Sequence, residues 1–236
     1  MDQKKAIVLF SGGLDSTTTL YWAKNKYTHL WALTIDYGQR HRLEVDFSQK
    51  ICQRLEIPQK IFRLDLTQIG GSALTDPQVA LPKLQSIEEL EEGVPITYVP
   101  FRNGIFLAIA AAWAEALGVE SVLCGFNVID SPNYPDTRWP FVQAMEKAIH
   151  EGTRAAFGEP TIKIEAPLVN LKKSEIIQTG LTLGADYSYS ISCYAGEEIP
   201  CQQCAACLLR AQAWQEVGHE DHLLTRLKKE GKIKNK

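Results

Sequence analysis

The sequence has no apolar run long enough to cross a bilayer. Its longest, Ile105 to Leu117, is interrupted by Glu115, whereas a spanning helix needs about 20 residues. It has little net charge: 25 basic against 28 acidic residues leave −3, which gives no global attraction to nucleic acid or anionic membrane. It shows no internal repeat and no low-complexity tract. With 45% hydrophobic and 22% charged residues, whole-chain disorder and collagen-like architecture are excluded. The stretch Met1–Lys5 runs into a short apolar segment and lacks the apolar core and small-residue cleavage site of a secretory signal. The expected location is therefore the cytoplasm. Thiols there stay reduced, so six cysteines point to metal binding rather than disulfides.

The 236 residues suit one large domain, or one domain with a small lobe. Lys5–Phe10 reads as a buried strand, Leu30–Ile35 as a second strand and Lys60–Leu64 as a third. Leu14–Lys26 and Arg42–Leu55 read as the helices between them. Strand and helix alternating at this spacing predict a doubly wound, mostly parallel α/β sheet. Val119–Cys124 and Ile162–Glu165 complete five strands, and Ile105–Leu117, Phe141–Phe157 and Ser174–Leu183 read as further helices. Residues 66–100, rich in Gly and Pro, read as a long loop near a sheet end. The expected organisation is a nucleotide- and substrate-binding domain over 1–190, a metal lobe over 191–217 and a polar tail over 218–236. His219 and His222 read as part of a solvated face, and Cys52 and Cys124 as core residues.

Ser11-Gly12-Gly13-Leu14-Asp15-Ser16 joins the first strand to the first helix. Glycines allow a sharp turn whose N–H groups face an anion, and a helix N-terminus favours negative charge. Asp15 or Ser16 is the expected helix cap. The loop is a phosphate cradle that lacks the Gly-Lys-Ser/Thr ending of a Walker A motif. It resembles the PP-loop of the ATP pyrophosphatases, with Phe10 as the last strand residue before it. That resemblance implies cleavage of ATP to AMP and pyrophosphate.

Cys201, Cys204 and Cys207 form C-x2-C-x2-C, with Cys193 eight residues upstream. Four thiolates this close can surround one ion tetrahedrally, as zinc prefers. An iron–sulfur cluster is the competing reading, although the x3-C-P continuation of ferredoxin sites is missing.

Three polar clusters follow predicted strands or precede helices: Asp36-Tyr37-Gly38-Gln39-Arg40-His41, Phe101-Arg102-Asn103-Gly104, and Asn127 with Asp130 leading to Tyr134-Pro135-Asp136-Thr137-Arg138. Together they offer aromatic rings, amides, guanidinium groups and carboxylates, which is what recognition of a planar heterocycle requires. These motifs, with P-L-x4-K-x-E-I and the Ser192-Cys193-Tyr194 run before the cysteine cluster, occur in one order across residues 9–210. The set resembles the 7-cyano-7-deazaguanine synthase family of queuosine precursor biosynthesis. Gln202 and Ser190-Ile191 depart from that family's usual Gly and Thr-Trp.

The resemblance implies a homodimer that converts 7-carboxy-7-deazaguanine and ammonia to the nitrile, using ATP, Mg2+ and Zn2+ and forming no stable complex with nucleic acid. It implies phosphate contacts from Phe10 through Ser16 and from Lys173. Arg102 and Arg138 are expected to hold the carboxylate or α-phosphate. Tyr37, Gln39, Asn127, Asp130, Tyr134 and Asp136 are expected to contact the base. Two other readings stand beside it: a PP-loop enzyme that thiolates tRNA, and a non-catalytic, zinc-stapled nucleotide-binding module.

Overall fold

The computed structural model describes residues 4–90, 92–129 and 133–234. Its described elements are, in chain order, β1 (Lys5–Leu9), α1 (Leu14–Lys26), β2 (His29–Asp36), α2 (Leu43–Leu55), β3 (Gln59–Arg63), α3 (Arg102–Leu117), β4 (Ser121–Leu123), α4 (Trp139–Gly152), β5 (Lys163–Glu165), α5 (Lys173–Thr182), α6 (Ala205–Val217) and α7 (His222–Lys229). The five strands pair in parallel in the order β3-β2-β1-β4-β5. The order reverses between β1 and β4, so the crevice for a ligand is expected beyond the carboxyl ends of those two strands.

Side-chain alternation along β1 sorts the core. Ile7 joins Leu33, Val122 and the α3 residues Leu107, Ala110 and Ala114 on one face. Ala6 and Val8 point the other way, toward Leu20 and Ala23 of α1 and Ile51 of α2. A strand apolar on both faces must be covered on both, which is why β1 reads as an unbroken hydrophobic run.

Beyond β5, α5 and α6 enclose Ile176, Ile177, Tyr187 and Trp214 against Leu14. Thr18 and Tyr187 hydroxyls meet at 2.6 Å in this layer. A methyl group on Gly180 would lie 1.7 Å from the Tyr187 oxygen, so that α5 position has no room for a side chain.

Two expectations change, and the long loop expected over 66–100 is present. The helix expected over Phe141–Phe157 stops at Gly152, and a short 3-10 turn, Arg154–Phe157, follows. Residues 66–100 hold one brief 3-10 turn yet are tied down: the Arg40 guanidinium donates to the Asp76 and Val79 carbonyls, and Leu84 N–H to Gln203. Residues 218–236 are not simply a polar tail, because they contain α7. Its Leu223 and Leu227 are fully buried against Phe47 and the cysteine lobe, and Asp221 caps it by accepting the Leu223 N–H at 2.9 Å.

Candidate functional site

A cleft with a cavity volume of about 310 Å3 opens beyond the carboxyl ends of β1, β2 and β4. One wall is the loop that begins α1. Gly12 has φ of +89°, the left-handed region, and a Cβ there would meet the Glu44 carbonyl at 2.8 Å. Glycine is required on both counts. Gly13 is the N-cap of α1 and offers no side-chain cap. The expectation that Asp15 or Ser16 caps the helix therefore fails, because both lie inside the first turn. Ser16 Oγ instead donates to the Gly13 carbonyl at 3.1 Å, and Ser11 Oγ accepts the Gly13 N–H at 3.1 Å. The Asp15 carboxylate faces Lys173, the first residue of α5, whose Nζ donates to its two oxygens at 2.9 and 2.6 Å. The loop has no lysine of its own, and the fold delivers one from 158 residues away.

Gly125, which belongs to none of the sequence motifs above, closes the floor. It follows β4, and a Cβ there would sit 2.9 Å from Ser16 N. The backbone after β4 thus lies directly against the start of α1.

The opposite wall comes from the polar clusters. Phe10, Ser11, Gly13, Leu14, Asp15 and Ser16 line the cleft, as do Tyr37, Gln39, Arg102, Asn127, Tyr134 and Lys173. Arg102 donates to the Tyr37 hydroxyl at 3.0 Å. Burial works against the Arg102 charge, but Tyr37 and Asp136 outweigh it and raise the pKa. Burial also pushes the Tyr37 phenol up, against the opposing pull of Arg102. Gln39 accepts the Tyr37 N–H at 2.8 Å. Tyr134 is held by the Thr97 hydroxyl at 2.8 Å, and Asn127 donates to the Leu171 carbonyl.

Three residues are placed differently. Arg138 is exposed at the N-cap of α4 and does not line the cleft. Asp136 is buried behind the wall, where its carboxylate accepts the Asn103 N–H at 3.0 Å near the start of α3. One Asp136 oxygen and Arg102 Nε are nevertheless buried without hydrogen-bond partners among the described residues. Asp130 lies outside the described residues. His41, Glu44, Tyr194 and Arg210 line the cleft but were not singled out in sequence. His41 belongs to a motif that was noticed, whereas Glu44 lies inside α2 and Arg210 inside α6, where local sequence carries no sign of a site.

The sulfurs of Cys193, Cys201, Cys204 and Cys207 lie within 4.8 Å of one another. The Cys201–Cys207 separation is 3.9 Å, close to the roughly 3.8 Å edge that a tetrahedron of zinc–thiolate bonds would have. Backbone N–H groups of Cys201 and Cys204 donate to the sulfurs of Cys193 and Cys201 at 3.3 and 3.4 Å. The arrangement fits a single tetrahedral ion such as zinc better than thiolates spread over several irons. Ser192, Tyr194, Ala206, Leu209 and Arg210 from this lobe line the cleft, and Ile191 N–H donates to the Gly12 carbonyl at 3.2 Å.

Residues 5–218 match the family described as "Queuosine biosynthesis protein QueC". The chain belongs to the QueC family. It is 41% identical over 224 residues to a 7-cyano-7-deazaguanine synthase of Saccharophagus degradans, covering 94% of this chain and 97% of the relative. It is 45% identical over 221 residues to the synthase of Trichodesmium erythraeum, covering 93% and 100%. These relatives do not favour the tRNA-thiolating or non-catalytic readings. A crystal structure of a 4-thiouridine synthetase–RNA complex with bound ATP aligns with a TM-score of 0.50 at 18% identity, covering 91% of this chain and 50% of that one. That likeness supports the fold alone. Among the described residues no helix is long and apolar enough to cross a membrane.

Proposed function

We propose that this QueC-family chain is an ATP-dependent C–N ligase that converts 7-carboxy-7-deazaguanine and ammonia to 7-cyano-7-deazaguanine. What carries the reading is the glycine turn and α1 N-terminus opening into a cleft at the β1–β4 divide, with the Lys173–Asp15 pair beside it. The names of the relatives agree with it.

A carboxylate is a poor electrophile because oxide is a poor leaving group. In the proposed reaction a substrate carboxylate oxygen attacks the α-phosphorus of ATP and pyrophosphate departs. Backbone N–H groups of residues 11–16 hold the departing phosphates, and Lys173 adds positive charge. Bound Mg2+ would neutralise phosphate charge. Ammonia then displaces AMP to give the amide. A second adenylation, on the amide oxygen, and loss of AMP give the nitrile. Tyr37, Gln39, Asn127 and Tyr134 line the space for the base, and Arg102 is the cation for the substrate carboxylate or α-phosphate. Asp130 and Asp136 remain candidates for the guanine-like edge. Arg138, being exposed, would reach substrate only if its loop moved. Zinc on the four cysteines would serve structurally, holding the lobe that contributes one cleft wall.

The test is mass spectrometry of products formed from ATP, Mg2+, ammonia and the carboxylate. Nitrile with AMP and pyrophosphate supports the reading, while absence of turnover by folded, metal-loaded protein contradicts it. The same proposal includes a cytoplasmic homodimer, checked for assembly by sedimentation of the purified chain.

A further inference from the structure

The cleft is lined by two carboxylates among the described residues, Asp15 and Glu44. Asp15 faces Lys173 at 2.6 Å. Among the described residues Glu44 faces no lysine or arginine within ion-pair distance, and its carboxylate meets His41, Nε2 to Oε2 at 3.2 Å. The Glu44 side chain is 13% exposed, and its other oxygen lies beside the phosphate loop, 3.5 Å from where a Cβ on Gly13 would stand. A carboxylate next to a phosphate cradle repels the ligand unless a cation lies between them.

His41 supplies a second, independent sign. It is 6% exposed, lines the cleft, and its Nδ1 is buried without a hydrogen-bond partner among the described residues. With Glu44 accepting from Nε2, neutral His41 carries its proton there and leaves Nδ1 as an acceptor. A carboxylate that orients one imidazole nitrogen so that the other can take a proton is the arrangement of known acid–base pairs. The groups facing His41 from other elements are Tyr37, edge-on at 6.5 Å, and Tyr194 at 6.2 Å between ring centroids. Arg102 lies over Tyr37 at 5.6 Å. Carboxylate, unprotonated imidazole nitrogen and aromatic rings are the chemistry that recognises a small ammonium ion.

We propose that the His41–Glu44 pair is the binding site for the nitrogen donor, taken up as ammonium, and the acceptor of its proton. This rests on the ligase reading above. Ammonium gives one proton to His41 Nδ1. The freed lone pair forms the C–N bond at the acyl carbon, the C–O bond to AMP breaks, and AMP leaves with that electron pair. The second surplus proton on nitrogen passes to water.

The first adenylation needs no ammonia, so the two halves separate experimentally. ATP–pyrophosphate exchange dependent on the carboxylate substrate reports adenylation, and amide plus nitrile formation against ammonium concentration reports nitrogen transfer. Hydroxylamine, uncharged near neutral pH, traps the acyl-adenylate without a cation site. For Glu44→Gln and His41→Asn the expectation is exchange and hydroxamate formation within about twofold of wild type. Glu44→Gln should raise the ammonium KM by about tenfold or more, and His41→Asn should lower nitrogen transfer by about 100-fold. Parallel loss of exchange in variants that bind metal and unfold as wild type does would assign the pair to phosphate or Mg2+ and overturn the proposal. An unchanged ammonium KM would overturn it as well. No exchange by the wild-type protein would instead overturn the ligase reading on which it rests. If Glu44→Gln does not fold, His41→Asn alone decides between these outcomes.

Discussion

Lys173 Nζ sits 2.6 and 2.9 Å from the two carboxylate oxygens of Asp15. The pair joins the first turn of α1 to the first residue of α5, so the cation reaches the phosphate loop through tertiary structure. Lys173 is 17% exposed and Asp15 22%, which leaves both open to the cleft.

Lys173→Met should lower pyrophosphate release by about 100-fold or more, as loss of a charge aimed at a transition state does. Binding of the carboxylate substrate without ATP should stay close to wild type. Product-release kinetics and calorimetric binding check the two halves, and equal loss of both would mean that the lysine holds the fold instead.

Gly125 is the point where the chain after β4 touches α1. Gly125→Ala would push a methyl to 2.9 Å from Ser16 N. Backbone must shift there, at a cost of about 1–3 kcal/mol, and the shift falls on the phosphate loop. The expected result is a several-degree drop in melting temperature together with weaker ATP binding, measured by thermal denaturation and nucleotide titration.

Arg210 and Asp221 form a buried two-pronged ion pair, Nε to Oδ2 at 2.5 Å and Nη2 to Oδ1 at 2.8 Å. The partners are 5% and 7% exposed. Removing one partner strands the other charge, so Arg210→Ala should destabilise by about 3–5 kcal/mol. The double variant with Asp221→Ala should cost less than the sum of the two single changes, as read by denaturant unfolding.

Cys52 and Cys124 are buried, and burial pushes the Cys52 thiol up to about 12 and the Cys124 thiol higher still. Neither should react with an alkylating reagent in the folded protein. Chelation should expose the four clustered cysteines and lower the melting temperature, because Leu223, Leu227 and Phe47 pack on that cluster. Activity should fall with the metal, since lobe residues line the cleft. Alkylation counts by mass spectrometry, before and after chelation, check this.

The strand–turn–helix carrying Gly12, the five parallel strands and the clustering of four cysteines were legible because each is encoded locally, by residue type at fixed spacing. The surroundings of Arg138 and Asp136 were not. Both belong to a motif rich in binding chemistry, yet Arg138 stands in solvent at the start of α4 with no side-chain cap hydrogen bond, and Asp136 accepts the Asn103 N–H near the start of α3. Helix capping draws on the same residue types as ligand binding, so a motif alone does not separate the two. Helix α7 was obscured by its charges. Its buried stripe is Leu223, Arg226 and Leu227, and Arg226 is buried because it pairs with Glu198 at 2.8 Å and lies over Tyr189. Arg210 reaches the cleft only through packing of a helix distant in sequence, whereas Glu44 lies three residues past His41, just beyond the polar cluster at 36–41.

The most direct measurement counts nucleotide products against nitrile during turnover with ATP, Mg2+, ammonia and 7-carboxy-7-deazaguanine. Two substrate oxygens must leave, so the account predicts two AMP and two pyrophosphate for each nitrile formed. ADP and inorganic phosphate as the products, in any ratio, would contradict it.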